Sequence, residues 1–380
     1  MRIGINTLFF IPGKVGGTEI FLRELVGGLE KIDKRNKYII FTNNENYDVF
    51  NKLSGNFCVV RCPFDATNRI LRILWEQIIL PLQCIYFRLD LLHSPGYTAP
   101  IFTHCKKITT IFDLNYHYHP EDTGKLQNII YKIIIPLVAR TSDLLIVHSH
   151  NSKKEISKVL NINQKKIVVV YPGVSKYFTR IIPKNKIKNF FGLKKIATPF
   201  ILSSAVSHPH KNLSSLLHAY MDLVTNKNIK QKLVLLGFPG RDQKALDDMI
   251  TTNKVKEMVI FTGWINHEES AYFFQSADLF VFPSLYEGFG LPLIEAMASG
   301  VPLVASKYSC IPEVVSGGGL IVDTKDVGEL SSAMYKVLNN QKLQKKLISK
   351  GRERAKYFIW ESSIKQTLAL YEKLVENHDE

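Results

Sequence analysis

The sequence predicts an α/β protein of two Rossmann-like domains, each a parallel sheet flanked by helices. Three observations predict it. Short apolar runs of strand length alternate with longer helical patterns along almost the whole chain, the signature of parallel α/β units. The 380 residues exceed what one ordinary core organises and suit two domains of usual size. Midway, YPGVSKYFTRIIPKNKIKNFFGL breaks the alternation with two prolines, two glycines and clustered lysines, and reads as a hinge.

In order, the expected strands of the first half are Arg2–Asn6, Tyr38–Thr42, Phe57–Arg61, Leu89–His93, Lys107–Ile111, Leu144–Val147 and Ile167–Val170. Those of the second half are Phe200–Ser203, Lys232–Leu236, Val259–Thr262, Leu279–Phe282, Leu303–Ala305 and Gly319–Val322. This places one domain at residues 1–175 and a second at 176–357. The tail from about Tyr357 is an amphipathic helix carrying Phe358, Trp360, Leu368, Leu370 and Leu374. It either caps its own domain or crosses back, as residues 358–380, to the first. RILRILWEQIILPLQCIYFRL (Arg69–Leu89) is basic at its ends and apolar within. A membrane-surface helix is one reading. The lack of a clear polar face favours a helix buried on its sheet and divided by Pro81.

Hydrophobic content of 46% and charged content of 22% are ordinary globular values. No apolar run reaches the ~18 residues that suggest a membrane span. MRIGINTLFF reads as a first strand rather than a signal peptide, so a cytoplasmic location is expected, with peripheral attachment to the inner membrane face as a further option. The five cysteines have no metal-ligand spacing. The net charge of +15, heavier in the first half, implies anionic partners: phosphates or an anionic membrane. No nucleic-acid-binding motif accompanies it.

The richest segment is DLFVFPSLYEGFGLPLIEAMASGVPLVAS, Asp278–Ser306. A short buried strand runs into a loop with Gly288 and Gly290. A helix then opens near Pro292 and stops at Gly300. A strand, a glycine loop and a helix amino terminus make an anion site. Glu287 before the loop and Glu295 one turn into the helix would repel phosphate, but as carboxylates they accept hydrogen bonds from sugar hydroxyls. This segment resembles the E-x7-E donor motif of retaining glycosyltransferases of the GT-B fold, family 4. Glu287 and Glu295 match its two glutamates and Gly288-Phe289-Gly290 the loop between them. ADLFVFPS, EAMASGVPLVAS and IPEVV are similar as well. The resemblance extends over nearly the whole chain, and it implies two domains facing across a cleft. It also implies that Glu287 contacts the transferred sugar, that the backbone from Gly288 to Leu291 contacts sugar and phosphates, and that Glu295 binds the ribose.

FILSSAVSHPHKN places Lys211 and Asn212 at a helix start, where Lys211 could neutralise a departing diphosphate. Relatives carry Lys-Asn or Lys-Gly here, and many read Gly-Arg earlier, where this chain has Ala205-Val206. His210 or Arg241 is then the candidate for a second positive group. On the acceptor side, Gly16 and Gly17 in PGKVGGTE permit a tight turn before a helix. Asp113 follows a strand and is a catalytic candidate, although for this residue alone capping of the next turn is the favoured explanation. Similar enzymes have His-Asp where this chain has Phe112-Asp113. His93, at a strand end, and His117 and His119 complete the candidates.

The combined expectation is a metal-independent transferase without a cofactor. It would move a sugar from a nucleoside-diphosphate donor (GDP-mannose first, a UDP-sugar second) to a glycan or glycolipid hydroxyl. Resemblance implies retention of configuration and kinship with bacterial mannosyltransferases of surface-polysaccharide synthesis. An epimerase or hydrolase on the same frame and a non-catalytic nucleotide-binding protein stay open as alternatives.

Overall fold

The computed structural model describes residues 1–376 apart from Val15, Ser54, Lys195, Ala197 and Ala205. The chain divides into two compact units. One comprises Met1–His117, Lys125–Gly173 and the carboxyl-terminal segment from Trp360; the other comprises Tyr118–Gly124 and Val174–Ile359.

The first unit holds a seven-stranded sheet: β1 Arg2–Asn6, β2 Lys37–Thr42, β3 Phe57–Arg61, β4 Leu91–Ser94, β5 Lys106–Thr110, β6 Leu144–Val147 and β7 Ile167–Val169. Their order is β3-β2-β1-β4-β5-β6-β7, and every pairing is parallel. Both faces of such a sheet are covered, so its strands read as nearly continuous apolar runs. On one face, Ile3, Ile5, Leu91, Ile108 and Ile146 pack under the helix Gly17–Ile32 and the last helix, Trp360–Glu376. These two helices meet where Gly28 faces Ile364. A Cβ on Gly28 would lie 2.0 Å from the Ile364 Cδ1, so only glycine allows the approach. The tail thus crosses back to the first sheet. Phe358, just before it, stays with the second unit, edge-on to Phe289 at 5.4 Å.

The opposite face carries the segment Arg69–Tyr86 and the helix Lys125–Thr141. Arg69–Tyr86 is not the buried helix that its apolar sequence favours. Its buried positions are Arg72, Glu76, Leu80 and Cys84, a single edge recurring every four residues. Two residues out of phase, Ile70, Leu74, Ile78, Leu82 and Tyr86 are exposed. A regular α-helix would let a four-residue repeat drift around its axis, since a turn takes about 3.6 residues. The wider π turn at Trp75–Ile79 offsets that drift and keeps both edges in line.

The second unit holds a six-stranded parallel sheet: β8 Phe200–Ser204, β9 Lys232–Leu236, β10 Val259–Phe261, β11 Leu279–Phe282, β12 Leu303–Ser306 and β13 Leu320–Val322. Their order is β10-β9-β8-β11-β12-β13. Helices Leu213–Lys227 and Val327–Leu338 bury Leu216, Leu217, Met334 and Val337 against Leu233, Leu235, Val281 and Val304. The other face is aromatic: Phe273 and Phe274 meet Phe200 and Phe280.

Candidate active site

In an open parallel sheet, ligands bind outside the carboxyl ends of the strands where the strand order reverses. In the second unit that point lies between β8 and β11, the first strand of each winding direction. The loops leaving these strands carry Lys211 and Glu287, and they meet. The Lys211 Nζ donates to the Glu287 Oε1 at 2.7 Å, with both side chains mostly buried. The Leu285 amide donates to the His210 carbonyl at 2.8 Å, tying one loop to the other. Asn212, in the left-handed region at φ 55°, donates from Nδ2 to the carbonyls of Thr324 at 2.9 Å and Pro283 at 3.3 Å. Lys211 is therefore set on a turn that neighbouring strand ends hold in place.

Glu287 is fixed through its backbone. Its carbonyl accepts from the Ser309 hydroxyl at 2.8 Å and the Cys310 thiol at 3.1 Å. Three residues on, Gly290 precedes the helix Leu291–Ser299 with φ 85°, a conformation that disfavours side chains. As the N-cap residue, Gly290 brings no side chain to cap this amino terminus. The Phe289 ring turns inward and is buried, so only its backbone can serve a ligand. Glu295 is buried on the same helix, and its Oε1 lies 2.8 Å from the His267 Nε2. His267, the first residue of the helix His267–Ser276, was not singled out by the sequence reading; its partnership spans 28 residues and leaves no local signal.

Two further features have no sequence signature. At the carboxyl ends of β9 and β10, Gly237 and Gly263 form an isolated antiparallel bridge. The residues after them, Phe238 and Trp264, are 41% and 56% exposed. The second feature is Tyr118–Gly124, which belongs to this unit although it lies between first-unit segments. Asp122 pairs with the buried His210 Nδ1, and His119 and Tyr118 lie against Tyr286 at 5.7 and 5.1 Å. His210 thus turns a ring nitrogen to Asp122 instead of presenting it to an anion. Arg241, the other candidate cation, donates to the Glu121 carbonyl. Burial lowers the pKa of His208 despite the opposing pull of Asp122. Ala205 lies outside the described residues.

In the first unit the order reverses between β1 and β4. Gly16 and Gly17 stand at the start of the helix after β1, Gly16 with φ 54°. His93 does not face a cleft, as the sequence suggests it could. It is wholly buried, with Nδ1 2.6 Å from the Tyr371 hydroxyl and Nε2 2.8 Å from the Thr110 hydroxyl. The returning carboxyl-terminal helix, which supplies Tyr371, closes over it. Burial holds the ring neutral, with its pKa pushed down to about 3. Asp113 accepts from the Tyr97 hydroxyl and the Asn115 amide, each at 2.8 Å, which is the capping arrangement. His117 is exposed at the next turn. Phe112 joins an aromatic cluster with Phe21, Tyr97 and His148, so its position feeds the core.

Comparisons with known proteins agree with this geometry. Residues 15–176 match the family model "Glycosyltransferase Family 4", and residues 185–354 match "Glycosyl transferases group 1". The O-antigen chain mannosyltransferase B of Escherichia coli is 28% identical over 290 residues, 74% of each chain. Among solved structures, sucrose-phosphate synthase of Thermosynechococcus elongatus superposes with a TM-score of 0.80 at 19% identity, over 99% of this chain and all of that one. Anabaena HepE, in complex with UDP and glucose, does so with 0.76 at 18%, over 98% and 100%. The loops that meet at the β8–β11 switch point and the two family matches lead to one identification: the chain belongs to the family 4, group 1 glycosyltransferases of the GT-B fold.

Proposed function

We propose that this glycosyltransferase moves a hexose, mannose first, from a nucleoside-diphosphate sugar to a hydroxyl of a glycan or lipid-linked acceptor, with retention of configuration. The observation that carries the proposal is the Lys211–Glu287 pair at the β8–β11 switch point. It sets an ammonium beside a carboxylate, one suited to a diphosphate and the other to sugar hydroxyls. Lys211 and the glycine-capped helix start at Leu291 would neutralise the charge that develops on the departing diphosphate. Glu287 would orient the sugar, and Glu295, steadied by His267, would bind the ribose. Phe238 and Trp264 would offer the base an aromatic face. In the step itself, the bond from the sugar anomeric carbon to the diphosphate oxygen breaks and its electron pair leaves with the phosphate. The acceptor oxygen bonds to that carbon on the same face, and its proton passes to the leaving phosphate oxygen. Asp113, Gly16, Gly17 and His117 would serve the acceptor side. The E. coli relative's name supports mannose, hence GDP-mannose as donor, and the UDP bound to Anabaena HepE keeps UDP-sugars second.

The test combines a thermal-shift screen of GDP-, UDP-, dTDP- and ADP-sugars with product analysis by NMR. Stabilisation by one donor class and an axial-to-axial transfer product support the reading. Release of free sugar at the same rate with and without acceptor would sink it. Glu287→Ala is expected to lower kcat by about 100-fold or more, and unchanged turnover in that variant would remove Glu287 from the mechanism.

A further inference from the structure

We propose that the face of the first unit formed by Arg69–Tyr86, the loop at Phe102 and the helix Lys125–Thr141 docks on an anionic lipid surface. The polarity of this face is inverted. Along Arg69–Tyr86 the charged Arg72 and Glu76 point inward, while Ile70, Leu74, Ile78 and Leu82 are 51–62% exposed. The helix Lys125–Thr141 does likewise, exposing Leu126, Ile129 and Ile133 by 57–65%. Both elements cover the same side of the sheet, Leu80 and Cys84 packing with Leu92, and Ile135 and Ala139 with Leu145. Soluble proteins rarely leave so many large apolar side chains together in water, and such patches mark binding surfaces.

The loop between the two elements is built to present another. Phe102 is 80% exposed, yet its backbone surroundings are fixed. The Lys107 ammonium, buried under the loop, donates to the carbonyls of Pro100 at 2.6 Å and Ile101 at 2.9 Å and to the Thr141 hydroxyl at 2.8 Å. Gln77 accepts from the Ile101 amide at 3.0 Å and donates to the Ala99 carbonyl at 2.9 Å. Arg69 bonds Gln127 across the two elements. Helix, loop and helix therefore form one continuous layer with a phenylalanine standing out of it.

Charge selects the occupant. The exposed charged residues within Arg69–Tyr86 and Lys125–Thr141 are Arg69, Lys125, Lys132 and Arg140, and the single acid within them, Glu76, is buried. An apolar stripe whose own exposed charges are all cationic fits the acyl boundary and phosphates of an anionic leaflet. A second copy of this chain would instead bring four more cations against these four. Among the described residues no helix is long and apolar enough to cross a membrane, so the face would lie on the surface.

The test is flotation of the whole chain with two vesicle types, phosphatidylcholine alone and phosphatidylcholine with about one-third phosphatidylglycerol. Binding to the anionic vesicles, weakened by salt, is expected. Ile78→Ser with Leu82→Ser, and separately Lys125→Glu with Lys132→Glu, should each lower partition by about 10-fold, while Ile181→Ser with Leu193→Ser, exposed in the second unit, should not. Donor-induced thermal shift should stay unchanged in all three. Failure of the native chain to float, or equal loss in the second-unit control, would overturn the assignment. So would a dimer that does not float and that the Ile78 and Leu82 changes dissociate. None of these outcomes bears on Glu287 or the transfer reaction.

Discussion

Glu287 and Glu295 are separated by two helical turns' worth of sequence, yet they have unlike neighbours. Glu287 meets a lysine from across the switch point, and Glu295 meets His267 from the adjacent helix. His267 is a positioning residue on this geometry. His267→Ala should raise the donor KM by about 10-fold with kcat little changed, since it alters binding common to ground and transition states. His267→Gln, which keeps a donor, should recover part of the loss. A fall in kcat alone, or a lowered Tm with normal KM, would make the histidine structural. His93 gives a pH prediction. Its folded pKa of about 3 lies below the unfolded value of about 6.5. The unfolded chain therefore binds the extra proton between those values. Stability from this site is full above about pH 6.5 and falls by about 1.4 kcal/mol per pH unit below it. His93→Gln should flatten that slope in urea melts at pH 5 and pH 7.5, and an unchanged slope would refute it.

At the scale of elements, the strands were legible because a sheet covered on both faces leaves most strands a nearly continuous apolar run, as in LFVF at β11. The Gly288–Gly290 loop and the stop at Gly300 were legible because backbone geometry dictates residue type at both. Gly290→Ala makes this measurable. Its Cβ would lie 3.0 Å from the Leu293 Cδ1 at φ 85°, and a loss of about 1–2 kcal/mol with weaker donor binding is expected. The sequence was silent where an element's partner is distant. The π turn under Arg69–Tyr86 and the docking of Tyr118–Gly124 on the Lys211 loop depend on contacts that no local pattern encodes. Asp122→Ala would leave the buried His210 nitrogen without its carboxylate. Faster proteolytic cleavage within residues 118–125 is the expected outcome, and cleavage at the native rate would show that the pair does not hold the segment.

For the whole molecule, two sheets with two separate cores imply two unfolding units. The residues proposed to bind the donor are all in the second, so a saturating nucleotide-sugar should raise one calorimetric transition and leave the other in place. At about 100 times Kd the gain is about 2.7 kcal/mol. A single transition that moves as one would mean that the units unfold together.

The returning helix Trp360–Glu376 has a consequence for biosynthesis. Its seat on the first sheet, around Phe21, Leu25 and Gly28, is translated hundreds of residues before the helix itself. While the ribosome makes the second unit, the nascent first unit carries an uncovered apolar strip, the kind of surface that recruits chaperones and seeds aggregation. A fragment released after Gly173 should therefore precipitate or stay chaperone-bound, and a synthetic Trp360–Glu376 peptide should rescue its solubility. The domain begun first on the ribosome is the last to be finished.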